Sequence, residues 1–233
     1  MQAHTETTPP TARSARASEP TQCVILSGIS WETYERLLTE HQESSGTHFT
    51  YDQGRLEIMV LSAKHEKPNR ALALLVEVFA EEMDVDVENL GSTTFKREEL
   101  GRGFEPDSCF YIQNAERIRG KEEIDLLVDP PPDLVIEIDI TSSSLNKFSV
   151  FAAFGVQEIW RYDGARVSIF RLEAETYHEQ AESTVLPKVT SEVLTTFIAE
   201  DKHLKRTAWL RHVREWTRQT RKEEGSGYYR VPR

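Results

Sequence analysis

The segment Asp133-Leu-Val-Ile-Glu-Ile-Asp-Ile140 holds the residues best placed to do chemistry. Its positions alternate with the period of a β-strand. Leu134, Ile136, Ile138 and Ile140 then point into a core, while Asp133, Val135, Glu137 and Asp139 share the other face. Two carboxylates two residues apart on one strand face, Glu137 and Asp139, can share a hard cation such as Mg²⁺. Such an ion takes one or two carboxylates together with waters and phosphate oxygens. The competing reading is a half-exposed antiparallel strand with its polar face in water.

Other residues bear on that choice. Asp107 follows Pro106 on a preceding strand, after a glycine-containing turn. If the two strands are neighbours, Asp107 and Glu137 converge on one metal. Lys147 comes ten residues after Glu137, in the first turns of the helix that follows the acidic strand. A lysine there can lean back over the strand end, where it would orient the attacking water or stabilise charge on a phosphate. His65, at the start of another helix, is a candidate general base or substrate ligand. The alternative is a hydrogen-bonded or surface histidine. Glu57, within Leu56-Glu-Ile-Met59, is either the outward residue of an exposed strand or a further site carboxylate.

These residues need a frame. Ser30 reads as an N-cap ahead of Trp31, Tyr34, Leu37 and Leu38 at helical spacing. Phe49–Tyr51 and Leu56–Val60 flank Asp52-Gln-Gly54 as a hairpin. A helix capped by Ser62 carries Ala71, Leu72, Leu75, Val78 and Phe79, with Pro68 near its first turns. Val85–Val87 and Ser92–Phe95 are short strand candidates, Leu100–Gly103 is a turn, and Phe104–Ile112 is one strand. Thr141–Ser144 would cap a helix that ends at Gly155. Glu158–Tyr162 and Val167–Leu172 form a hairpin about Asp163-Gly164. Phe197–Lys222 is expected to be one amphipathic helix, with an apolar stripe of Trp209, Leu210, Val213 and Trp216 among basic residues. That stripe packs either on the domain or on a second subunit, which would make a homodimer.

Composition bounds the class. The chain has 233 residues, enough for one domain with tails. Residues 1–22 are expected to be a disordered N-terminal tail without the apolar run of a secretory signal. The domain spans 23–196, the helix 197–222 and a flexible tail 223–233. Cys23 and Cys109 stand in no zinc or disulfide pattern, so a reducing, cytoplasmic setting is expected. No apolar run reaches the length of a membrane span. The net charge of −11, from 39 acids against 28 basic residues, requires any nucleic-acid surface to be local. Lys96, Arg97 and Arg102, near the turn before Asp107, are the candidates for a substrate groove.

Several of these segments together resemble a known family. Phe104-Glu-Pro-Asp107, Pro132-Asp-Leu-Val-Ile-Glu-Ile-Asp-Ile-Thr-Ser142, Lys147 and Gly155-Val-Gln-Glu-Ile-Trp-Arg-Tyr162 are similar to the Uma-two endonucleases of the restriction-endonuclease-like PD-(D/E)XK superfamily. Gly54-Arg-Leu-Glu-Ile-Met59 and Ser62-Ala-Lys-His65 add to the match, which covers Ile29 to Leu172. The resemblance implies an α/β fold, a mixed sheet flanked by helices in the order helix, three strands, helix, strand. It implies Mg²⁺-dependent hydrolysis of nucleic-acid phosphodiesters, with Mn²⁺ able to stand in and DNA as the expected partner. It assigns metal ligation to Asp107 and Glu137, and puts Asp139 where the superfamily motif has a lysine. Lys147 is the matching displaced lysine. The third carboxylate would come from Glu57 or from the helix that begins at His65. Asp139 is then either a metal ligand or the mark of a weakened site, and in the latter case the domain is a nucleic-acid or protein-binding module.

Overall fold

The computed structural model describes residues 22–41, 46–140 and 145–226. Of the tails expected at 1–22 and 223–233, residues 1–21 and 227–233 lie outside the described residues, as does the cap at Thr141–Ser144, whereas Gln22 opens a strand and 223–226 continue the last helix. Strand β1 (Gln22–Ser27) leads to α1 (Trp31–Glu40), where the Ser30 hydroxyl accepts from the Thr33 N–H at 3.2 Å. The hairpin β2 (Thr47–Asp52) and β3 (Arg55–Val60) turns through Gln53 and Gly54, both at positive φ. Two successive positive-φ residues match the twist of the flanking strands. Helix α2 (Ala63–Met83) runs through Pro68 and ends on Asp84 at φ 60, with the Val85 N–H donating to the Ala80 carbonyl. Val85 is therefore used to terminate the helix. The short strands fall slightly later than the sequence suggests, as β4 (Glu88–Gly91) and β5 (Phe95–Arg97).

The stretch read as one strand from Phe104 to Ile112 is two strands in two sheets. A 3₁₀ turn at Glu98–Leu100 and Gly101 at φ 59 precede β6 (Arg102–Phe104), so the expected turn ends one residue earlier than Arg102. After Glu105, Pro106 and Asp107 comes β7 (Ser108–Tyr111). Proline has no N–H to give a ladder, and here the chain leaves one sheet for the other. The first sheet has the order β1-β3-β2-β6-β5 and is antiparallel throughout. Gly103 sits there against α1, where a Cβ would lie 2.2 Å from the Tyr34 hydroxyl.

The second sheet carries Glu137. Helix α3 (Ala115–Ile118) precedes β8 (Leu134–Ile138), α4 (Lys147–Phe154), β9 (Glu158–Tyr162), β10 (Val167–Glu173) and a strand not foreseen, β11 (Thr176–Gln180). The order is β11-β10-β9-β8-β7-β4, with β8 and β9 parallel across the α4 crossover and the other pairs antiparallel. This is a mixed α/β architecture. Leu134, Ile136 and Ile138 join Phe110, Trp160 and α2 in one core cluster, and Val135 packs with Phe104, Phe151 and Phe154 in another. The alternation read from the sequence is therefore real, but both faces of β8 are buried.

The C-terminal stretch read as one helix is two, α5 (Ser191–Asp201) and α6 (Arg206–Ser226). The break lets α6 fold back. The Trp209 indole donates to the Phe197 carbonyl at 2.8 Å, which ties α6 back onto α5. Trp209 and Val213 are fully buried, and Trp216 meets Phe79 and Phe197 edge-on. The apolar stripe thus packs on its own domain. No described helix is long and apolar enough to cross a membrane.

The basic face of α6 is tied to α2: Arg218 donates twice to Glu82 at 2.7 Å, and Arg214 reaches Glu81 and Glu82. The Arg218 hydrogen bonds, reinforced by Arg214, hold Glu82 below its ordinary value of 4.5 against the opposing effect of burial. A depressed carboxyl pKa contributes stability above its unfolded value, and that contribution is lost as pH falls through the folded value. Glu82→Gln is expected to be less stable than wild type at pH 7, and the two should converge in strong acid. Urea midpoints at several pH values check this. A gap independent of pH would contradict it.

Candidate active site

Asp107 stands at the crossing between the sheets, and its environment explains why the chain bends there. Its Oδ2 accepts the Ile138 N–H at 2.7 Å, which stitches β6–β7 to the end of β8. Its own carbonyl accepts from the Asn69 amide at 2.9 Å, and Ser108 Oγ donates to the same Asn69 side chain at 2.8 Å. Two histidines flank the carboxylate: His65 Nε2 lies 3.3 Å from Oδ2 and His48 Nδ1 lies 3.3 Å from Oδ1. His48 comes from β2, and its other nitrogen meets Ser92 Oγ at 3.0 Å. Burial pushes the Asp107 carboxyl up, but His48, His65 and Lys147 outweigh it and hold the group below the usual carboxylate value. Burial likewise keeps His65 below its ordinary value, despite the pull of Asp107.

Glu137 projects from β8 on the side opposite the Leu134–Ile138 core face. Lys147, the first residue of α4, donates to its Oε2 at 2.9 Å. The same ammonium is 3.8 Å from Oε1 of Glu57, a fully buried residue of β3 in the first sheet. The lysine thus joins a carboxylate from each sheet. Burial raises the Glu137 pKa to about 7; Lys147 opposes this and Asp107 adds to it. Burial would lower the pKa of Lys147, but Glu137 and Asp107 more than compensate, and it stays above its ordinary value as a cation.

The arrangement brings together Asp107, Glu137, Lys147, Glu57 and His65. It adds His48 and Asn69, which the sequence reading passed over. Asn69 follows His65 by one turn on the inward face of α2, and a polar pair at that spacing on an apolar helix was a usable signal. His48 carried none, because a single histidine in an apolar strand looks like any core residue. Asp139 is placed differently. It lies one residue past β8, where the Arg161 guanidinium engages it, with Nε at 3.0 Å from Oδ2. The expected basic groove residues are each paired on the first sheet: Lys96 with Glu35 at 2.8 Å, Arg97 with Glu99, and Arg102 with Asp52 at 2.7 Å. Lys96 also borders a cleft of about 370 Å³ that reaches His48.

The donor set can be tested against the ion that the family resemblance implies. Three buried carboxylates, Glu57, Asp107 and Glu137, face one ammonium, Lys147. That surplus of negative charge in a low-dielectric site favours a cation. Among the described residues, Glu137 Oε1 is buried without a hydrogen-bond donor, and Asp107 Oδ1 has His48 Nδ1 as its neighbour at 3.3 Å. No three His, Cys, Asp or Glu side chains among the described residues form a ready-made cage. Mg²⁺ does not need one, since it is held by one or two carboxylates with water and substrate phosphate. Hard oxygen donors from Asp107 and Glu137 fit that mode. A cleft of about 250 Å³ opens beside Glu137, lined by Glu137, Asp139, Asn146, Lys147, Phe148 and Arg161 among others, with Asp107 buried outside its lining.

Comparison with other proteins agrees with the motifs. Residues 31–199 match the Uma2 family, whose description is "Putative restriction endonuclease". No curated protein is similar enough to count as a match. Among solved structures, a "putative nuclease belonging to DUF820" from Anabaena variabilis ATCC 29413 is similar at 17% identity, over 64% of this chain and 90% of that one, with a TM-score of 0.45. With residues 31–199 matched, most of its length, the chain belongs to the Uma2 family.

Proposed function

We propose that the protein is a metal-dependent endonuclease that hydrolyses phosphodiester bonds in DNA, with Asp107, Glu137 and Lys147 as its working residues. The observation that carries this reading is the Glu137–Lys147 contact of 2.9 Å at the junction of β8 and α4, beside the buried carboxylate of Asp107. Asp107 and Glu137 would hold Mg²⁺, or Mn²⁺ in its place. Such an ion, when bound, lowers the pKa of water and polarises a phosphoryl oxygen. His48 and His65 keep Asp107 ionised, and the Ile138 N–H fixes its direction. Lys147 lines the cleft, and its ammonium would orient the attacking oxygen or stabilise charge on the phosphate there. Asp139 is engaged by Arg161, so the metal assignment rests on Asp107 and Glu137.

The test is a nicking assay on supercoiled plasmid, with an RNA substrate in parallel, in Mg²⁺, Mn²⁺ or EDTA. Cutting of DNA with either ion and none in EDTA is expected. Binding of nucleic acid without turnover under every condition would instead favour the weakened-site reading, a binding module that keeps the fold without the chemistry.

A further inference from the structure

The cleft beside Glu137 has a second cation that the mechanism above does not use. Arg161 lies on β9 directly across from Glu137 in the parallel pairing, so both side chains leave the sheet on the same face. Lys147 is 13% exposed and already committed to Glu137 and Glu57. Arg161 is 40% exposed, stands at the rim of the cleft, and has Asp139 as its partner. A phosphodiester entering a chain of net charge −11 needs a cation at the entrance. The planar guanidinium grips a phosphate through two parallel N–H donors. A part-exposed ion pair is a weak interaction, so one anion can replace the other with little loss.

We propose that Arg161 is the substrate-phosphate clamp of this site, and that Asp139 is a built-in competitor that holds the guanidinium in place until a nucleic-acid backbone displaces it. This rests on the nuclease reading and deepens it. Asp139 in the position of the motif lysine then keeps a cation at the cleft rim in waiting. Because the contact is to phosphate, it is blind to base and sugar.

The test is fluorescence anisotropy in EDTA, where no hydrolysis consumes the probe, with a labelled DNA duplex and an RNA duplex of the same sequence. Wild type, Arg161→Ala, Arg161→Lys and Asp139→Asn are titrated at several salt concentrations. Arg161→Ala is expected to weaken both probes about tenfold and to flatten the salt dependence by about one counterion. Arg161→Lys keeps the charge without the fork and should stay weaker than wild type. Asp139→Asn removes the competitor and should bind a fewfold more tightly. In Mg²⁺, Arg161→Ala should raise KM and leave kcat nearly unchanged. Wild-type affinity and salt slope in Arg161→Ala, with an unchanged melting temperature, would overturn the clamp while wild-type cleavage left the nuclease reading standing. Failure of wild type both to bind and to cut would overturn both.

Discussion

Replacing Lys147 by methionine is expected to destabilise the fold by about 3–5 kcal/mol, the usual result of removing one partner from a buried ion pair. The ammonium is the cation between Glu57 in one sheet and Glu137 in the other. Without it, two buried carboxylates face each other across the sheet interface with their desolvation uncompensated. The loss should depend on pH. An acid whose folded pKa lies above its unfolded value takes up protons on folding, so its penalty is absent below about 4.5 and complete above the folded value. Glu137 is already raised to about 7, and loss of Lys147 raises it further. The stability deficit of Lys147→Met should therefore be larger at pH 8 than at pH 6, as read by denaturant midpoints. Cleavage should fall by about 10²- to 10³-fold, as for removal of a single electrostatic donor. Lys147→Arg should recover most of the stability. A methionine variant that is stable and active at pH 8 would remove the lysine from the site.

Glu137→Gln is the second large effect, and it separates function from stability. The amide keeps the shape of the carboxylate but gives up its charge, so cleavage should fall about a thousandfold or more, roughly 4 kcal/mol in the barrier. Stability should move differently. Burial disfavours the ionised form of Glu137 strongly enough to raise its pKa to about 7 despite Lys147. A neutral isostere removes that penalty at pH 8 but also takes away the main anion beside the buried Lys147, leaving Glu57 as its partner, so without metal the variant should lose clearly less stability than Lys147→Met. A variant that unfolds on substitution would instead make Glu137 a structural residue held by Lys147.

Much of this site was legible before any coordinates, for reasons that can be named. The alternation from Leu134 to Ile140 told which side chains share a face, and the core clusters on the two sides of β8 bear it out. It did not tell that the acidic face would also be buried, because period two reports direction and says nothing of what covers the face. The covering comes from α4 and from the first sheet, a contact between elements far apart in sequence. The split of 104–112 had a visible cause in Pro106, yet a proline can sit at the start of an edge strand as well as between two sheets. The break between α5 and α6 was hidden because no proline or glycine occupies 202–205; the Trp209–Phe197 bond that closes it is a tertiary fact. Asp139 was read as an acid beside Glu137. Its position is set by Arg161, one strand away in space and 22 residues along the chain.

The central claim is that Asp107 and Glu137 together hold a divalent cation, and it can be tested without knowing the substrate. Mn²⁺ binding to wild type, Asp107→Asn and Glu137→Gln would be followed by electron paramagnetic resonance in the absence of nucleic acid, with melting temperatures as a check on folding. Saturable binding by wild type, lost or weakened at least about tenfold in both folded variants, is the predicted result. Binding that survives both substitutions, or a wild type that takes up no ion, would contradict it.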